Sequence, residues 1–379
     1  MPALAHKHYF NYGGQGPLPD PSLHAMVACW QELQRLGPFS RDVWPFLEAE
    51  TSALRRRLAQ LCGVPPHRLS LTENVTTGCV LPLWGLPFAP GDRLLLSDAE
   101  HPGVVAACKE LARRQHLEID WFSARDCRSD PALLNQLERG LQPRTRLVVL
   151  SHLLWNSGLP MPIDTVAERL KSHPQQPWLL VDAAQSVGSL ALGPVPALAD
   201  IYAFTGHKWC CGPEGLGGVV LSERVLEQSQ PTVIGWRSLR DEASGGSTWH
   251  ADGRRFEVAT SCVPLGAGLL RSLQLLDELG TAMERQQRIT ALSSQLWHGL
   301  QDLAQYRTVV QEGPPASGLV SFQCDALSPE AVVDGLADQG YQLRSLADPQ
   351  CVRACTHVFT TTAEVEGLLG ALEGLVSRD

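Results

Sequence analysis

Lysine is scarce in this chain of 379 residues, occurring only at positions 7, 109, 171 and 208. No long basic run appears and the net charge is −9, which argues against nucleic acid or an anionic membrane surface as a partner. Long hydrophobic runs are missing too. Stretches such as 147–155 (LVVLSHLLW) are too short to cross a bilayer. The start, MPALAHKHYFNYGG, has no apolar stretch behind a basic head, so no signal peptide is expected. No Cys-x-x-Cys pair exists among the 11 cysteines, an odd number. They read as reduced, mostly buried thiols of a cytoplasmic protein rather than a disulfide framework. Internal repeats and low-complexity tracts are also absent.

What is present is core-forming residue. Apolar side chains make up 44% and charged ones 19%, enough for a large packed core and a natural prior of two domains. Short apolar runs at 69–72, 92–97, 117–121, 145–151, 178–182, 200–205 and 217–221 predict strands. Amphipathic stretches lie between several of them. Val104, Val105, Cys108, Leu111 and Ala112 share one face of 104–114, and Ile163, Val166, Ala167 and Leu170 one face of 163–171. The alternation predicts an α/β fold: a mostly parallel sheet with helices on both faces and ligands beyond the strands' carboxyl ends. Residues 241–255 read as a polar surface loop. Long helices follow across 264–302, then a strand (317–324), a helix (329–339), two short strands and a final helix opened by a Thr361/Glu364 capping box. The expected division is a large domain over 15–255 and a smaller α+β domain over 256–379, joined by the segment 1–14.

Three lysines have ordinary solvated settings. Lys208 differs, because it follows the apolar run IYAFT within Thr205-Gly206-His207-Lys208-Trp209. An amine held there is partly desolvated, which lowers its pKa and makes it a usable nucleophile; a lysine capping a turn is the plainer alternative. Asp182 ends the strand WLLVD, where a carboxylate is costly unless it meets a cation or donors. A pyridinium nitrogen is such a cation; a helix N-cap is the other reading. Gln185 lies three residues on, within reach of a ring oxygen. Asn74-Val75-Thr76-Thr77-Gly78 has the form of a phosphate cradle at a helix N-terminus, although Thr-Thr is also an ordinary cap. His101, in Glu100-His101-Pro102-Gly103, either covers a planar cofactor or is structural.

In combination these pieces resemble the class V aminotransferase group of fold-type I pyridoxal-phosphate enzymes, which includes the cysteine desulfurases. The segments YFNYGGQGPLP, NVTTGCVLPLWGL, EHPG, SHLLWN, AFTGHKW, GWRS, RFEVATS and ADPQCVRAC resemble more particularly the L-cysteine/cystine C–S lyases, over nearly the whole chain. The resemblance implies pyridoxal 5'-phosphate held as a Schiff base on Lys208, which also takes the substrate's Cα proton. Asp182 would pair with the pyridine nitrogen, Gln185 and Asn156 would lie near the phenolic oxygen, and His101 would stack on the ring. Thr76, Thr77, Thr205 and His207 would surround the phosphate, with Thr260 reaching that of the other subunit in a homodimer. Arg344 and Arg353, with Asn156 and Gly14, would meet the substrate. Two guanidiniums suit a substrate with two carboxylates, such as cystine.

A desulfurase needs a mobile cysteine thiolate to accept sulfur. In the group this chain resembles, that cysteine follows the position of Arg344, and Ser345 to Pro349 contains none. Cys351 is the remaining acceptor, on an expected strand. Without an acceptor, α,β-elimination yields pyruvate, ammonia and a persulfide, whose onward receiver the resemblance links to iron–sulfur cluster supply. Cys351, Arg353, Cys355 and His357 alternate in a pattern also readable as a metal or sulfur-carrier face. The arginine between the thiols disfavours a dication, so no metal is expected, and buried thiols are the better reading. Cys210 and Cys211 are expected to be packing residues.

Overall fold

A computed structural model describes residues 1–241 and 248–376, so residues 242–247 of the expected loop lie outside the described residues. After a short strand β1 (His8–Tyr9), seven strands form the main sheet: β2 (Leu69–Thr72), β3 (Arg93–Ser97), β4 (Glu118–Phe122), β5 (Thr145–Ser151), β6 (Trp178–Asp182), β7 (Ile201–Thr205) and β8 (Gly217–Leu221). Their order is β2-β8-β7-β6-β5-β3-β4. Strands β3 to β7 run parallel, and β8 is antiparallel to both β7 and β2.

The continuous apolar runs become strands because both sheet faces are covered. Alternate residues point to opposite sides. Leu95, Val148, Leu150, Leu179, Val181, Tyr202 and Phe204 enter one core with Leu54, Leu58, Leu133 and Val166. Leu94, Leu96, Leu147, Val149, Leu180 and Ile201 enter the other with Cys79, Val104, Cys108 and Leu111. Burying each such leucine fully stabilises the fold by roughly 2 kcal/mol. β4, an edge strand with a single neighbour, departs furthest from full burial.

The second sheet is antiparallel, in the order β12-β13-β10-β9, with β9 (Tyr306–Thr308), β10 (Leu319–Cys324), β12 (Arg344–Ala347) and β13 (Gln350–Cys355). Strand β11 (Tyr341–Gln342) pairs instead with β1 in parallel. Three strands thus stand where two were expected after helix Pro329–Ala337. The additional feature is a tight hairpin, since Ala347 pairs with Gln350 across Asp348-Pro349. Phe10 joins the second sheet's core beside Leu296, Phe322, Val352 and Leu368. The final helix has the expected capping box: Glu364 N–H donates to Thr361 Oγ1, and Thr361 N–H to Glu364 Oε2. The expected loop over 241–255 is not wholly irregular: Trp249 bridges Leu239, and Asp252 caps a short helix over Gly253–Phe256.

No helix among the described residues is long and apolar enough to cross a membrane.

Candidate active site

The carboxyl ends of the parallel strands converge on one cleft. In the sheet register Ser151 of β5 sits beside Asp182, and Asp182 beside Ala203 of β7. Thr72 and Thr205 flank the same residue, Gly217, so β2 and β7 end on one edge. The cleft is lined by Val75, His101, Ser151, Leu153, Trp155, Asp182, Ala184, Gln185 and Lys208. A larger groove of about 710 Å³ lies elsewhere, among Trp30, Phe39, Trp44, Trp236 and Thr260. Size does not decide between them. The cleft holds the titratable groups at the strand ends, where open α/β sheets bind ligands.

Lys208 occupies a turn pinned on several sides. Gly206 N–H donates to Leu216 O, Cys211 N–H to Lys208 O, and Gly16 N–H to His207 O at 2.7 Å. Gly16 has to be glycine here, because a Cβ would stand 2.3 Å from the Lys208 carbonyl. Burial pushes the Lys208 amine down to about 8; the Asp182 charge opposes the fall, and Arg353 and Arg344 add to it. An amine depressed by folding is neutral in the fold while still protonated in the unfolded chain. The unfolded state therefore binds more protons between pH 8 and 10.5, and stability rises with pH across that window. In the apoprotein this rise is expected to reach on the order of 3 kcal/mol and to vanish in Lys208→Met. Urea unfolding of both proteins at several pH values checks it.

Asp182 is buried, and its Oδ1 accepts the Ala184 N–H at 2.9 Å. No helix follows it, so the N-cap alternative falls away. Gln185 is oriented by its neighbours: Trp209 Nε1–H donates to Oε1 at 2.8 Å, and Nε2 donates to Gly13 O at 2.9 Å. An indole only donates, so Oε1 must face it, and Gln185 keeps one further N–H. Asn156 is buried with Oδ1 unpartnered. His101 stands at the cleft's exposed rim, edge-on to Trp155 at 5.4 Å. It also caps helix Pro102–Gln115, with Nδ1 accepting the Gly103 N–H at 3.2 Å. Burial lowers its pKa, partly offset by Asp182.

Helix Val75–Leu83 is capped by Asn74, whose Oδ1 accepts from the Thr77 N–H and hydroxyl at 2.9 and 3.2 Å. Neither threonine is the cap. The Thr77 amide is therefore spent, while Thr76 is exposed and lies near His101, both within van der Waals reach of a Cβ built on Gly103. Thr205 Oγ1 and His207 Nδ1 share a hydrogen bond of 2.7 Å.

Arg353 is 1% exposed, and Nη1 donates to Trp155 O at 2.8 Å, but Nε and Nη2 have no partner. Arg344, exposed on β12, is its direct cross-strand neighbour. Like charges facing across a strand pair repel, and an anion between them removes that cost. Gly13, rather than Gly14, borders this corner. A Cβ on Gly13 would meet Gln185 Oε1, Cys355 Sγ and the Arg353 guanidinium at about 3 Å, whereas the atoms nearest to one on Gly14 belong to the Asn11 amide. Thr260 is exposed and lies on the larger groove, away from the cleft of its own chain. Cys351 is buried on β13 with its thiol pushed up to about 11 by burial. His357 lies beyond that strand, stacked on Tyr12 at 4.3 Å with Nε2 on Trp209 O, so it shares no face with the two cysteines. Cys210 and Cys211 are both buried in the core.

The family model for class-V aminotransferases matches residues 47–369. The chain belongs to this family. The cystine C–S lyase C-DES, solved in complex with its reaction product cysteine persulfide, is 42% identical, covers 98% of each chain and superposes with a TM-score of 0.94. A C-DES mutant with glycine covalently linked to the PLP cofactor gives the same identity and TM-score over 98% of this chain and 97% of that one. A cysteine desulfurase of Haloferax volcanii is 26% identical over 84% of this chain and 77% of its own length. As a class-V aminotransferase the chain has the fold expected of it, a mostly parallel sheet flanked by helices.

Sequence reasoning passed over Gly13, Trp155 and Glu100. Trp155 supplies both a wall of the cleft and the carbonyl that holds Arg353. Glu100 lies buried behind Ser151. Nothing in EHPG or SHLLWN tells which way these side chains point.

Proposed function

We propose that this chain is a pyridoxal-phosphate-dependent carbon–sulfur lyase that cleaves L-cystine, or L-cysteine, by α,β-elimination. The observation that carries the reading is the meeting of a buried amine and a buried carboxylate, Lys208 and Asp182, in one cleft. The donor set fits the cofactor. Asp182 suits a cationic ring nitrogen, the spare Gln185 N–H suits a ring oxygen, and the first turn of Val75–Leu83 with Thr76, Thr205 and His207 suits a phosphate. When bound, pyridoxal phosphate supplies an electron sink for the pair left as the substrate's Cα proton leaves.

The chain's own residues do the rest. Arg353, in the smaller domain we assign to 256–379 with 1–14, grips the substrate carboxylate through its unpartnered Nε and Nη2. Arg344 holds the second carboxylate of cystine. His101 and Trp155 close the rim. The neutral Lys208 amine takes the Cα proton, and the Cβ–S bond breaks with its electron pair going to sulfur. Cystine and water thus give cysteine persulfide, pyruvate and ammonia.

A desulfurase would need a mobile thiolate near Ser345–Pro349. That stretch is a hairpin tethered by Arg125, whose Nη1 and Nη2 donate to Asp348 at 2.6 and 2.8 Å. The one nearby cysteine, Cys351, is buried with a raised pKa, the opposite of a reactive thiol. Cys351→Ala is expected to leave the sulfur-release rate within about twofold, at a stability cost of about 1 kcal/mol. The deciding assay supplies cystine and measures pyruvate against alanine. Alanine as the product, or loss of sulfur release in Cys351→Ala, would replace elimination with desulfuration.

Exposed Trp30, Phe39, Trp44 and Trp236 along the larger groove suit a covered surface. We assign it to a second copy of the chain, with Thr260 on that face. The unpaired cysteines support a cytoplasmic setting, where the persulfide would pass to an acceptor such as an iron–sulfur assembly system.

A further inference from the structure

Glu100 is a buried carboxyl group that the elimination does not use. It follows β3 and reaches back between strand ends. Its Oε1 accepts the Ser97 hydroxyl at 2.5 Å and the Ser151 N–H at 2.9 Å, and its Oε2 pairs with the Ser151 hydroxyl at 2.8 Å. Ser151 in turn lines the cleft beside Asp182, its register neighbour on β6. The Ser151 hydroxyl therefore stands between a buried carboxyl and the ligand space. We propose that Glu100 is a positioning residue of the cleft, whose single proton decides whether Ser151 turns a hydroxyl hydrogen or a lone pair toward the ligand beside Asp182. The proposal rests on the cofactor reading only for what that ligand is.

The hydrogen-bond inventory makes the two states distinct. Ionised, Glu100 only accepts, so the Ser151 O–H is spent on Oε2 and a lone pair faces the cleft. Protonated, Glu100 donates to Ser151 Oγ, and the serine hydrogen is released toward the cleft. The groups facing Glu100 leave the switch to Glu100 itself. Asp182 opposes its ionisation from β6, while the thiols of Cys79 on helix Val75–Leu83 and Cys108 on helix Pro102–Gln115 are pushed far up by burial and stay neutral. Burial raises Glu100 to about 7, against the pull of its serine donors, so both states are populated near neutrality.

The test has two arms. In the apoprotein, carboxyl carbon NMR with labelled glutamate, assigned by Glu100→Gln, is expected to show Glu100 titrating near neutrality. Ser151→Ala and, separately, Ser97→Ala should each move that midpoint up by roughly one pH unit, because each removes a donor to the anion. A Glu100 ionised down to about pH 5, or a midpoint indifferent to Ser151→Ala, overturns the proposal. In the holoenzyme, the bound cofactor's visible absorption is expected to change with the same midpoint, and that step should be lost in Glu100→Gln. An unaltered step in Glu100→Gln overturns it as well. If wild type takes up no pyridoxal phosphate, the cofactor reading fails, and the apoprotein arm still decides the role of Glu100.

Discussion

Replacing Lys208 by alanine is expected to lower turnover of cystine by about four orders of magnitude or more, and to abolish any borohydride-stable adduct of pyridoxal phosphate with the protein. In the proposed reaction one side chain supplies both the covalent anchor and the base for the Cα proton, and removing a positioned base alone costs up to about 10⁴-fold. The proposed phosphate donors, Thr76, Thr205 and His207, are untouched by the change, so the cofactor is still expected to bind without a covalent link. Equilibrium dialysis with the cofactor, mass spectrometry after borohydride and the pyruvate assay read the three consequences separately. An adduct persisting on another lysine would sink the assignment. Lys7, Lys109 and Lys171 are the alternatives, and none lines the cleft.

The second large effect concerns Arg353, and it has opposite signs in binding and stability. The guanidinium is buried with Nε and Nη2 unpartnered, and burial depresses its pKa against the nearby Cys355. Each unsatisfied buried donor costs about 1–3 kcal/mol in the free protein, a cost that the proposed contact with a substrate carboxylate would remove. Arg353→Met is therefore expected to raise KM for cystine by about 10²- to 10³-fold, the equivalent of roughly 3–4 kcal/mol. The apoprotein should unfold no more easily than wild type, because a buried charge replaced by an apolar chain of similar size is often neutral or stabilising. Arg353→Lys should recover little, since an ammonium cannot reproduce a planar two-point grip. Lost stability with an unchanged KM would make Arg353 a structural residue.

The elements that sequence analysis placed best are those whose cause is local. The runs 145–151, 178–182 and 217–221 became strands with those bounds, since a strand covered on both faces must be apolar throughout. Lys208 stood out because lysine is scarce and follows such a run, and Asp182 because a carboxylate ending one needs a partner. The features that escaped depend on what lies opposite. Asn74 rather than either threonine caps its helix, Gly13 rather than Gly14 abuts Arg353, and His357 stacks on Tyr12 instead of facing Cys355. For the cap and for the glycine, a residue one to three positions away is chemically as suitable, and only the direction of the backbone chooses between them.

Hydrophobic period and residue chemistry, which act within a few positions, were enough by themselves to determine an α/β sheet and the short segments that carry its reactive groups. Tertiary structure alone decided that β8 runs antiparallel, that Arg125 tethers the hairpin of β12 and β13 through Asp348, and that Glu100 folds back onto Ser151. Those outcomes are set by contacts between residues tens to hundreds of positions apart. Their free energies depend on burial and partner geometry that exist only once the whole chain has packed.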